Sequence, residues 1–64
     1  MILQFKIPNM ACAACANTIT KAVQNIDPSA NVDADTQTKL VKIKTVESES
    51  TIRDAIAKAG YPPA

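Results

Sequence analysis

The spacing of apolar residues changes period across one short loop, and that change constrains the fold more than any other feature. Before the loop, Ile2–Ile7 alternates with a period of two, lining Leu3, Phe5 and Ile7 along one face of a strand. After it, Ala16–Ile26 follows a helical period, with Ile19, Ala22, Val23 and Ile26 on one side. Between them, Pro8 and Asn9 end the strand, and Met10-Ala11-Cys12-Ala13-Ala14-Cys15 leads into the helix.

Asp27-Pro28-Ser29 stops that helix. Ala30–Ala34 alternates again, Asp35–Thr38 has turn composition, and Leu40–Val46 makes a third strand with Val41 and Ile43 inward. Lys42 and Lys44 fall on the opposite, solvated face. A second helix is expected from Ser48 to Ala59, burying Ile52, Ala55, Ile56 and Ala59, with Gly60 as its stop. The order β-α-β-β-α is most of an α+β ferredoxin-like split βαβ sandwich, with two helices on one face of an antiparallel sheet. A fourth strand would have to come from Tyr61-Pro62-Pro63-Ala64. Proline cannot donate to a ladder, so that strand is expected to be vestigial.

The chain of 64 residues has room for one domain, residues 1–64. Phe5 and Tyr61 are its only aromatic residues, so the core is aliphatic and small. Little space remains for a substrate cavity, which argues against an enzyme. Net charge is +1. Lys6, Lys21, Lys39, Lys42, Lys44, Arg53 and Lys58 are scattered, without the dense basic face and stacking platforms of a nucleic-acid binder. They read as a solvated surface, of which a few near the loop could steer an acidic partner. No apolar run approaches the roughly 18 residues of a membrane span. The first residues have no basic stretch followed by an apolar leader, so the chain reads as cytoplasmic.

Chemistry is concentrated in Cys12 and Cys15. A close cysteine pair in a reducing compartment is more often a metal or redox site than a structural disulfide. Cys15 is expected in the first helical turn and Cys12 on the loop before it. Free amide N–H groups and the positive end of the helix dipole there favour thiolate, most of all at Cys15. Soft thiolates select Cu(I), zinc or iron–sulfur clusters. Structural zinc takes four ligands, and this chain offers two cysteines, no histidine and no carboxylate in the loop. An iron–sulfur cluster also needs more ligands than one chain supplies. Cu(I), content with two sulfurs in near-linear array, fits best. A thioredoxin-like oxidoreductase also starts a helix with CxxC, but its fold needs a longer chain.

Met10-x-Cys12-x-x-Cys15 between strand and helix, Val32-Asp33 in the hairpin, and Ala55-Ile56-Ala57-Lys58-Ala59-Gly60-Tyr61 near the end carry a family resemblance. The chain resembles, over nearly its whole length, the heavy-metal-associated domain of bacterial and cyanobacterial copper metallochaperones. That resemblance implies a cytosolic Cu(I) carrier delivering by thiolate exchange to N-terminal domains of a copper-transporting P-type ATPase. It places Tyr61 beside the metal loop, where eukaryotic chaperones have lysine and some cyanobacterial ones histidine. It also implies that Met10 packs under the loop rather than binding metal. Copper-bridged homodimers follow from the open coordination positions. Mercury carriers share the fold and the terminal Gly-Tyr-Pro, and zinc or cadmium carriers share the fold, so both remain alternatives.

Overall fold

Leu3 and Phe5 point into the core along β1 (Ile2–Lys6) while Ile2, Gln4 and Lys6 face solvent, as the pleat of a strand requires. The computed structural model describes residues 2–64. Helix α1 (Ala13–Ile26) follows the loop, and β2 (Asn31–Asp35) and β3 (Leu40–Lys44) form a hairpin before α2 (Glu49–Lys58). β3 lies between its neighbours in the order β1-β3-β2, antiparallel to both. Its Val41 and Ile43 stand opposite Phe5 and Leu3 of β1 and opposite Ala34 and Val32 of β2.

These inward rows meet Ile19 and Val23 of α1 and Ile52 and Ile56 of α2, with Ile7 and Met10 completing the cluster. Fully burying such a side chain is worth roughly 1.5–3 kcal/mol, so a handful of aliphatic residues holds the sandwich together. The outer sheet face carries Gln4, Lys42 and Asp33 in one cross-strand row and Ile2, Lys44 and Asn31 in the next. The architecture is the ferredoxin-like sandwich the apolar pattern predicts.

Its details differ from the pattern in four places. α1 begins at Ala13, three residues before the periodic stretch, because Ala13 and Ala14 are strong helix formers that need no buried face. β2 is shifted by one residue, to Asn31–Asp35. β3 stops at Lys44 because Thr45 and Val46 turn toward Asp27: its carboxylate accepts the Thr45 hydroxyl at 2.6 Å and the Val46 N–H at 3.4 Å. Ile26, expected on the buried side of α1, is 44% exposed, since the helix ends there and the chain departs through Asp27.

Ser48 caps α2, its hydroxyl accepting the Thr51 N–H. In the hairpin turn the Asp35 carboxylate accepts the N–H groups of Gln37 and Thr38, which holds its pKa below the usual carboxylate range. Residues 61–64 form no strand. A single ladder-like bond survives, from the Ala64 N–H to the Lys6 carbonyl at 2.8 Å.

Candidate metal site

Two turns and one helix start build the site. The Met10 N–H donates to the Ile7 carbonyl at 3.1 Å, closing a tight turn over Pro8 and Asn9. Met10 then buries completely in the core, which pins the loop from below while Ala11, Cys12, Ala13 and Ala14 remain exposed. Cys12 is the N-cap of α1: its backbone is extended (φ −149°, ψ 166°) and its carbonyl accepts the Ala16 N–H at 3.2 Å. No side chain caps this helix, so the amide groups of the first turn stay available to the sulfurs.

The two Sγ atoms lie 2.8 Å apart in hydrogen-bond contact, both as free thiols. Cys15 sits half-buried in the first helical turn, packed against the core, while Cys12 is exposed. Its neighbour Cys12, then the Tyr61 hydroxyl and the Ala11 N–H, stabilise the Cys15 thiolate and lower its pKa to about 7. The Tyr61 hydroxyl is raised above the usual tyrosine range, because its proton is held by Cys15 and burial disfavours the phenolate.

Tyr61 reaches the sulfur through the way α2 ends. Gly60 adopts φ +99°, the left-handed region that glycine enters without penalty. The Gly60 N–H then donates to the Ala57 carbonyl at 3.0 Å and the Tyr61 N–H to the Ile56 carbonyl at 3.3 Å. This Schellman closure folds the chain back over the helix and places the Tyr61 ring half-buried against the core.

The structure therefore brings Cys12, Cys15 and Tyr61 together and places Met10 beneath them in the core. Among the described residues, no cluster of three or more histidine, cysteine, aspartate or glutamate side chains forms. Sequence reasoning expected free amide groups to favour thiolate here, and the structure identifies the Ala11 N–H as one of them. It missed Asp27, the buried acceptor at the other end of α1. The signal was available in its spacing to Ser29, whose N–H and hydroxyl both donate to it.

Comparison with known proteins places this geometry among others. A model of the heavy-metal-associated domain matches residues 4–62. The trimeric Cu1 form of a histidine-to-tyrosine variant of the copper chaperone Atx1 from Synechocystis PCC6803 is 45% identical, with a TM-score of 0.94 over 97% of this chain and 98% of that one. A gold binding protein is 42% identical, with a TM-score of 0.91 over 94% of this chain and 92% of its own. The mercuric transport protein periplasmic component of Shewanella putrefaciens is 32% identical over 60 residues, or 89% of this chain. This chain spans 66% of that relative's length.

Proposed function

The chain belongs to the heavy-metal-associated domain family, and from that premise we propose that it is a Cu(I) metallochaperone acting as one domain over residues 1–64. The observation that supports the choice of ion is the donor set: two sulfurs in contact and, among the described residues, no group of three or more histidine, cysteine, aspartate or glutamate side chains that includes them. Two-coordinate binding suits Cu(I) and starves zinc, which takes four ligands. Two sulfurs facing across one ion stand roughly 4–5 Å apart, judged from the zinc–sulfur distance, so loading spreads the pair beyond its present contact.

Each residue has a part in transfer. Cys15, anchored in the helix and supported by Tyr61 and Ala11, keeps the ion while the exposed Cys12 exchanges. A partner thiolate enters as third ligand, Cys12 leaves, and Cys15 follows. The ion is never free, and no bond of the protein is made or broken covalently. Met10 acts as a core residue that sets the loop, not as a ligand. The partner we propose is an N-terminal domain of a copper-transporting P-type ATPase, met in the cytoplasm, with a paired CxxC of its own. Two copies meeting through their open coordination positions would form a copper-bridged homodimer. Among the described residues no helix is long and apolar enough to cross a membrane.

A mercuric-ion carrier is the second reading, favoured by the relative named as a mercuric transport component. Linear dithiolate suits that ion too. Competition separates the readings: the reduced protein, titrated with Cu(I) against bathocuproine and separately challenged with Hg(II) and Zn(II), is expected to retain Cu(I) and release Zn(II) to a weak chelator. Surrender of Cu(I) to bathocuproine with retention of Hg(II) would replace copper by mercury.

A further inference from the structure

Hydrogen-bond parity decides which backbone groups of the sheet are left over. The Ile7 N–H donates to the Lys39 carbonyl at 2.8 Å, so the odd residues of β1 face β3 and the even ones face away. Ile2 and Gln4 therefore turn their N–H and C=O groups to an edge with no neighbouring strand among the described residues. At Lys6 that edge is taken, because its carbonyl accepts the Ala64 N–H at 2.8 Å. On β2 the same parity leaves Val32 and Ala34 facing the opposite edge. Unpaired edges are templates for another strand, and these two differ in what self-pairing brings together. An antiparallel copy of β2 that used both Val32 and Ala34 would set Asp33 against the partner's Asp33, and like charges directly opposite destabilise a sheet. An antiparallel copy of β1 that uses Ile2 and Gln4 sets Leu3 against the partner's Leu3 on the core side. Outside, the exposed Ile2 meets the partner's Gln4, and no charge opposes a like charge.

We propose that the Ile2–Gln4 edge of β1 pairs antiparallel with the same edge of a second copy of this chain, joining two three-stranded sheets into one. Ile2 exchanges ladder bonds with the partner's Gln4, and Gln4 with the partner's Ile2, so the two-fold axis passes beside Leu3. The bond from Ala64 to Lys6 sets that register, because it occupies the edge position that a longer overlap, centred on Gln4, would need. From the axis the two copies of β1 run in opposite directions. Leu3 to Ile7 spans about 14 Å at ~3.4 Å per residue, which holds the two sulfur pairs roughly 27 Å or more apart. This dimer is distinct from a copper-bridged one. It needs neither metal nor thiolate, leaves both loops open, and does not rest on the carrier reading. So short an edge makes a smaller contact than a permanent interface, and the dimer is expected to form between about 10 μM and 1 mM.

The test is sedimentation velocity of the reduced, metal-free protein in chelator across that concentration range, with amide hydrogen exchange by NMR at its two ends. A monomer–dimer equilibrium is expected, with the Gln4 N–H exchanging several-fold more slowly at the high concentration and those of Val32 and Ala34 unchanged. The double variant Ile2→Lys/Gln4→Lys alters two exposed side chains, keeps the core, and sets lysines against each other across the axis. It should sediment as a monomer with an unchanged circular dichroism spectrum. Mixed with Ile2→Glu/Gln4→Glu, itself expected to be a monomer, it should form a heterodimer. A wild type that stays monomeric at ~1 mM overturns the proposal. So does a dimer that persists in the lysine variant, slowed exchange at Val32 and Ala34 in place of Gln4, or growth beyond two copies.

Discussion

Tyr61 gives the sulfur pair its asymmetry. Cys12 first, and the Tyr61 hydroxyl after it, stabilise the Cys15 thiolate, whose pKa is lowered to about 7. Below that pH the proton competes with a soft metal for Cys15, so the affinity proposed for Cu(I) is expected to fall with acidity. Tyr61→Phe removes one donor but leaves the larger contribution of Cys12. The midpoint of Cys15 alkylation against pH is therefore expected to rise part of the way toward ~8.5. An unmoved midpoint would take Tyr61 out of the site. Met10 is the converse case, a sulfur beside the metal loop that is wholly buried. Met10→Leu conserves volume and should cost less than about 1.5 kcal/mol in urea unfolding while leaving Cu(I) affinity intact. A large loss of affinity with stability preserved would make its thioether a ligand.

Between elements, the main polar fastening is Asp27. Its carboxylate takes the Thr45 hydroxyl at 2.6 Å, the Ser29 hydroxyl at 2.7 Å and the Ser29 N–H at 3.1 Å, tying the end of α1 to the exit of β3. Those donors, Thr45 foremost, hold its pKa below the usual carboxylate range. A depressed folded-state pKa contributes stability that is present above the unfolded value of ~3.9 and is lost as pH falls through the lower folded value. Asp27→Asn should therefore unfold at lower urea than wild type at neutral pH, with the difference shrinking in acid. A gap independent of pH would mean that shape, not charge, matters there. This fastening also shows what sequence could and could not display. The period of apolar residues, 2 or 3.6, marked every strand and helix, because burial alone decides it. Where an element stops depends on tertiary hydrogen bonds. Thr45 and Val46 have strand-forming character, and only a carboxylate from another element withdraws them. The cysteine pair was legible for the opposite reason: its chemistry is local, carried by residues three apart at a helix start. Tyr61 was placed beside the loop by the family resemblance alone, because the residue pattern marked the helix ending at Gly60 without giving its direction.

The whole molecule has a single core with sulfurs at one end and Asp27 near the other end of α1. So small a domain rarely has more than about 3–5 kcal/mol in hand. Ile43, buried on the central strand β3, touches that reserve directly. Ile43→Ala should cost about 2–5 kcal/mol and leave the chain substantially unfolded without metal by circular dichroism. Retention of wild-type stability would show that the core repacks. The bond from Ala64 to Lys6 has another kind of consequence. It joins the two ends of the chain, so forming it closes a loop of nearly full length for the return of one hydrogen bond. Such a clasp has nothing to gain from closing before the sheet exists. It belongs to the last event of folding, and changes to it should appear in how fast the protein unfolds and hardly at all in how fast it folds.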